Sequence, residues 1–275
     1  MPDSKHPSPV PKPDLGESDG FRMGVGARGS TTQTMRRTTT ATRIAALVAD
    51  AGLGCRFHSI VSSSGLPFAE LAVLYATDGE RSHGEGTIIR STNPRQLIEG
   101  GAQFRVRACV EFAGAAGLHP AVRLFLPYYC NMGELEGIGL PLAEVLSRAR
   151  LSPSRVIAEV LVPPTVEAYA ATTEHVARLR DVGVQVAVRV GEPDDRALDL
   201  IFAVEPDFVH IVRPPRHFDA VENMRAFVAQ CGQICQGSCR AIVGGLETAD
   251  DTAEVERIGV SLYYGDAISA PRFLC

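Results

Sequence analysis

The sequence predicts a (β/α)8, TIM-like barrel, and three observations point to it. Beyond the first 35 of its 275 residues, strand-like and helix-like runs alternate along the chain. The strand-like runs, such as VRLFLP at 122–127 and VIAEVLV at 156–162, are mostly apolar without strict alternation, as in strands covered on both faces. The length is also close to the ~250 residues at which such barrels fold as one unit. A doubly wound open sheet uses the same runs and stands as the rival architecture.

Taken in order, the elements begin with a helix at 43–51 and strands at 57–61 and 71–75. Asn93 and Pro94 head a long amphipathic helix reaching 117, the first as its N-cap and the second as the N1 proline whose missing N–H is no loss there. Strand 122–127, helix 140–149, strand 156–162 and helix 166–181 follow, and Gly183 ends the last as the left-handed residue that helix termini favour. Strand 184–190, helix 196–204, strand 208–212, helix 218–234, strand 240–244, helix 250–258 and strand 260–264 complete eight strands. Because helices separate most of them, the barrel is expected to be parallel.

Residues 1–35 are rich in Pro, Ser and Gly, with Pro7, Pro9, Pro11 and Pro13 alternating, and are too poor in apolar surface to order themselves. They are expected to form a disordered tail ahead of a barrel domain at 36–275. The net charge of −5, without any Lys/Arg-rich run, argues against a nucleic-acid partner. No apolar run reaches the ~18 residues of a membrane span, and the N-terminus lacks a secretory apolar region. Seven cysteines, an odd set without a C-x-x-C pair, are expected as free thiols in a reducing compartment, which makes the cytoplasm the expected location.

Three local patterns have bland readings that outweigh the functional ones. Gly24, Gly26 and Gly29 spell a dinucleotide fingerprint, but no strand precedes them and no helix follows, so they belong to the tail. Cys231, Cys235 and Cys239 recur every fourth residue, yet Gly237 and Ser238 are expected to end the helix before Cys239, leaving three small buried thiols on different faces. His210 lies late in its strand, where barrel active sites collect, although an isolated histidine there is more often a hydrogen-bonded interior group.

Seven segments follow one another in order: RFHSIV at 56–61, PFAELA at 67–72, IAEV at 157–160, LRDVGVQVAV at 179–188, PDFVHI at 206–211, GGLET at 244–248 and IGVSLYYG at 258–265, the last followed by Pro271. Together they resemble the EAL-type cyclic diguanylate phosphodiesterases, with RFHSIV at the opening strand and PFAELA at the signature, where Glu70 is followed by Leu-Ala. The resemblance implies an EAL-type barrel over about 43–271, and in the family two divalent metals activate the water that cuts cyclic diguanylate. Glu70 and Glu159 match two metal-binding carboxylates, and Glu247 matches the second glutamate of a later motif. Elsewhere the pattern breaks. Pro127 stands at the asparagine position, Arg189 and Val190 at the paired aspartates, Val162 at the second glutamate of its strand, His210 at the lysine, Gly244 at a glutamate and Tyr264 at a glutamine.

An arginine puts a fixed cation where dications would sit, at a cost of several kcal/mol in a partly dry site. Arg189 is therefore expected to pair with Glu70 or Glu159. Asp194 and Asp195 could instead supply the missing acids, but capping the next helix is the simpler role. The sequence thus predicts a degenerate EAL-like regulatory module with no catalytic residue, no metal and no cofactor, whose remnant cleft positions are Glu70, Glu159, Arg189, His210 and Glu247. Its expected partner is a regulatory protein or a second copy of the chain, met on a helix surface that includes Arg196, Asp199 and Leu200. A non-hydrolysing cyclic diguanylate receptor is the alternative, with His58, Glu70 and Tyr264 as ligand-binding positions. His58 and Leu74 replace the glutamine and arginine that hold the ligand in relatives. Weak phosphodiesterase activity is the third reading and an unrelated barrel enzyme the fourth.

Overall fold

A computed structural model describes residues 53–77, 82–128, 141–163, 165, 167–212 and 221–274. All of them belong to one compact unit, Thr39–Cys275. The expected tail, the helix at 43–51 and the glycine pattern at 24–29 lie outside the described residues. The strands are β1 (Leu53–Ser62), β2 (Pro67–Thr77), β3 (Ser82–Gly84), β4 (Arg123–Pro127), β5 (Val156–Leu161), β6 (Gln185–Val190), β7 (Phe208–Ile211), β8 (Arg240–Val243) and β9 (Leu262–Tyr263). The helices are α1 (Glu85–Ser91), α2 (Pro94–Gly114), α3 (Leu142–Ala149), α4 (Glu167–Val182), α5 (Asp195–Val204), α6 (Val221–Ile234) and α7 (Ala249–Ile258).

Eight of the strands close a barrel in the order β1-β9-β8-β7-β6-β5-β4-β2, with β2 returning to β1, and β3 pairs with the upper end of β2. From β2 through β9 the barrel neighbours run parallel, but β1 is antiparallel to both β2 and β9. This corrects the all-parallel expectation, and the connection explains it. Residues 63–66 form a four-residue turn, with Gly65 at φ +76° and its N–H donating to Ser62 O at 2.7 Å, whereas a parallel pair needs a crossover of a dozen residues or more.

Two apolar layers define which way each strand residue points. Ile60, Leu71, Phe125, Ile157, Ala187, Phe208, Ile242 and Leu262 fill the lumen. Phe57, Ala72, Leu124, Ala158, Val188 and Val243 face the helices in the larger outer core. The strongest local expectation holds atom by atom: Asn93 caps α2 by accepting from Gln96 N at 2.9 Å, and the Gln96 side chain returns the bond to close a capping box. Among the described residues, no helix is long and apolar enough to cross a membrane.

Candidate functional site

The site lies inside the upper, C-terminal end of the barrel, where strand alternation aims Glu159, Arg189, His210 and Tyr264 inward. Each stands two residues beyond a lumen-filling residue of its own strand, Ile157, Ala187, Phe208 and Leu262 respectively. His210 donates from Nδ1 to Glu159 Oε1, since a carboxylate only accepts, and its Nε2 lies 2.9 Å from the Tyr264 hydroxyl. Arg189 Nη1 reaches Glu159 Oε2 at 3.7 Å and Glu85 Oε1, on the first turn of α1, at 2.8 Å. The Phe125 ring meets His210 edge-on at 5.3 Å, and the His58 ring meets Tyr264 in the same way at the same separation. On the far side of the chain of contacts, His58 Nε2 lies 3.4 Å from Asp266.

Burial sets the electrostatics of this chain. Burial alone would push the fully buried Glu159 carboxyl up, but the charges of His210 and Arg189 and the His210 hydrogen bond together hold it below its ordinary value. Burial raises the Tyr264 phenol above its ordinary range, which keeps its proton in place. It also lowers His58, against the opposing pull of Asp266. His210 and Glu159 have the make-up of a histidine–carboxylate pair, with both ring nitrogens engaged and the side chain buried.

Tyr264 and Gly244 fit as a pair. A Cβ at Gly244 would stand 2.4 Å from the Tyr264 ring, so the tyrosine occupies the space of any side chain at 244.

Glu70 is not part of this cluster. Pro67 pairs with Val61 and Ala69 with Ile60, so Phe68 is the extra residue of a β-bulge. Both Phe68 and Ala69 pack with the lumen cluster, the alternation slips by one, and Glu70 faces outward beside Leu124 while Leu71 takes the inner position. There Ser59 Oγ donates to Glu70 at 3.0 Å and Arg272 Nη2 at 2.7 Å. Burial nevertheless leaves the Glu70 carboxyl raised. Of the two partners expected for Arg189, Glu159 is the one it reaches. Leu74 likewise faces the outer core.

The remaining expected residues are placed as follows. Pro127 ends β4 opposite Glu159, and Val190 points into the outer core. Glu247 is exposed at the head of α7, where its N–H donates to Asp251. Asp194 caps α5, accepting from Ala197 N at 2.9 Å, and Asp195 is exposed in the first helical turn. Arg196 and Asp199 are exposed on α5, whereas Leu200 is 0% exposed and is corrected from surface to core. Ala197, Leu200, Ile201 and Val204 form the buried stripe at helical spacing, which leaves Phe202, 71% exposed, as the apolar side chain of that surface.

Cys231, Cys235 and Cys239 gather, contrary to the expectation of separate faces. Gln236 and Gly237, both at positive φ, turn the chain back so that the Cys239 thiol meets that of Cys235, and burial pushes Cys231 up to about 12. Among the described residues, no three His, Cys, Asp or Glu side chains converge to hold a metal ion.

Sequence reasoning missed Glu85 and Arg272. Glu85 opens a seven-residue helix behind a three-residue strand, too short for either period to register. Arg272 acts on Glu70 from 202 residues away, a contact no local pattern encodes.

Residues 46–271 match the family described as EAL domain. No curated protein sequence matches the chain. Solved structures share its fold. The PaMucR phosphodiesterase in its c-di-GMP complex superposes with a TM-score of 0.68 at 16% identity, covering 86% of this chain and 97% of that one. The FimX EAL domain from Pseudomonas aeruginosa, bound to c-di-GMP, gives 0.67 at 14% identity, with 86% and 96% covered. The YkuI protein of Bacillus subtilis, which has an EAL domain and was solved with c-di-GMP and calcium, gives 0.67 at 13%, with 84% and 57% covered.

Proposed function

The chain belongs to the EAL domain family, and from that premise we propose that it is a degenerate, non-hydrolysing member working in cyclic diguanylate-linked signalling through protein contacts. One observation carries the reading: the Arg189 guanidinium stands inside the barrel mouth, paired with Glu85 and Glu159. A pair of divalent cations needs several hard oxygen donors converging on ions a few ångströms apart. Among the described residues the mouth offers Glu85 and Glu159, both paired with Arg189 and the second also held by His210, while Glu70 lies on the other face of the wall and Pro127, Val190 and Gly244 bring no side-chain oxygen. These residues do not fit the family's metal pair. Tyr264, lying over Gly244, takes up further room at the same place.

Loss of the cleft chemistry leaves the outer surface as the functional part of a retained scaffold. On α5 that surface is Arg196, Asp199 and Phe202, exposed on a helix whose other face is anchored in the core. A regulatory protein or a second copy of the chain is the partner class. The receptor reading, with His58, Glu70 and Tyr264 as contacts, is weakened because Glu70 is turned away and His58 and Tyr264 pack on each other.

Calorimetric titration with cyclic diguanylate, with and without Mg²⁺, combined with capture of partners from the native host, separates the readings. The protein-contact reading expects no saturable heat, and it expects capture to be lost with Arg196→Glu or Phe202→Asp and kept with Glu159→Ala. Saturable nucleotide binding removed by His58→Ala, with capture indifferent to the α5 changes, would replace it with the receptor reading.

A further inference from the structure

Behind the barrel wall, outside the mouth, a second cluster joins α2, the end of β4 and α4. Arg105 is a charged side chain only 7% exposed. Its guanidinium lies over the Tyr128 ring, 4.5 Å from the centroid, and the His175 ring meets the same tyrosine edge-on at 5.5 Å. Stacking on an aromatic face satisfies the charge partly but uses none of the five N–H donors.

One nitrogen of the guanidinium lacks a partner. Arg105 Nη1 is buried without a hydrogen bond, beside Gly101, and His175 Nε2 is buried in the same condition. Among the described residues, no carboxylate forms an ion pair with Arg105, and Glu174, next to His175 in sequence, is taken by Arg178 at 2.8 Å. Buried cations are normally paired, because an uncompensated charge in a protein interior costs several kcal/mol. A guanidinium with a bare N–H and an imidazole with a bare nitrogen, both packed on one aromatic ring, are the groups that recognise a planar or tetrahedral oxyanion.

We propose that Arg105, Tyr128 and His175 form a second binding site, for a small oxyanion of the phosphate or carboxylate class, independent of the barrel mouth. The anion accepts from Arg105 Nη1 and from His175 Nε2–H, and brings a negative charge to the buried guanidinium. The electrostatics agree: burial, with Arg178 and Arg105 adding to it, lowers His175 to about 4, and an anion between the two groups would reverse that push.

The test follows the unfolding midpoint of the full chain, and the His175 titration by NMR, in chloride, inorganic phosphate and acetate at matched ionic strength. In wild type, phosphate or acetate is expected to raise the midpoint in a saturable way and to move the His175 titration up by at least one pH unit. The anion that acts identifies the class. Arg105→Met is expected to weaken the response at least tenfold while keeping or raising the midpoint in chloride, since it removes an unpaired buried charge. Arg105→Gln, which also removes the charge, is expected to lose the response in the same way. The proposal is overturned if neither anion moves the midpoint or the His175 titration. It is equally overturned if the response survives in the Arg105 variant, which would mark adventitious binding elsewhere, or if Arg105→Met is destabilised in chloride, which would make Arg105 a structural stack on Tyr128.

Discussion

Two glutamates with opposite shifts show how local surroundings decide a residue's contribution. Glu159 is held below its ordinary value, so its stabilisation is fully present above the unfolded value near 4.5 and is lost as pH falls through the lower folded value. Glu70 is raised by burial, so it costs stability at neutral pH and the cost disappears as pH falls through its folded value. At pH 7, Glu159→Gln is therefore expected to destabilise by about 3–5 kcal/mol, as breaking a buried pair does, with the gap closing below pH 4.5. Glu70→Gln should leave the protein as stable or more so, and urea unfolding across roughly pH 3–8 reads both. Gly244 and Tyr264 make a second case. Gly244→Ala should destabilise by about 1–3 kcal/mol through overpacking, and Tyr264→Ala in the same chain should relieve it. Additive losses in that double-mutant cycle would contradict the fit of ring to glycine. Arg189 and His210 were legible as residues that break a pattern, and a pairing of Arg189 with Glu70 or Glu159 followed from charge, the structure choosing the second. The Glu85 partner and the Tyr264 contact did not, because both depend on which inward-facing side chains meet across the lumen.

Among the elements, those with terminal chemistry were the most legible. Asn93 and Asp194 both act as N-caps, because a short side chain accepting from the first turn is a local arrangement written in consecutive residues. β2 was legible as a strand but not in its facing. One bulge residue, Phe68, exchanges the two faces of the rest of the strand, and nothing in the run PFAELAVLYA distinguishes a bulged from a regular strand. The same limit applied to α5, where four apolar residues in five left the stripe ambiguous until packing chose Leu200 and Ile201 for the core. Here the two classes of side chain give separable outcomes. Leu200→Asp should unfold the domain by circular dichroism, while Phe202→Asp should keep the wild-type spectrum and midpoint. If Phe202→Asp were also strongly destabilising, α5 would be a structural element throughout and not a docking surface.

At the scale of the molecule, the barrel was written in the spacing of its strands and helices, and the family match over 46–271 agrees with that reading. The seam was not. β1 meets β9 over two residues only, and the C-terminal segment completes the edge, with Phe57 and Arg272 exchanging backbone hydrogen bonds at 2.7 and 2.9 Å. On the proposed reading, a closed barrel whose mouth does not fit the family's metal pair serves as a scaffold for presenting surfaces. The most direct test incubates the purified protein with cyclic diguanylate and excess Mn²⁺ and follows the linear product over many enzyme equivalents. The account predicts no turnover above a metal-only control, and the same null result for Glu159→Ala. Multiple turnover in the wild type, abolished by Glu159→Ala, would contradict it.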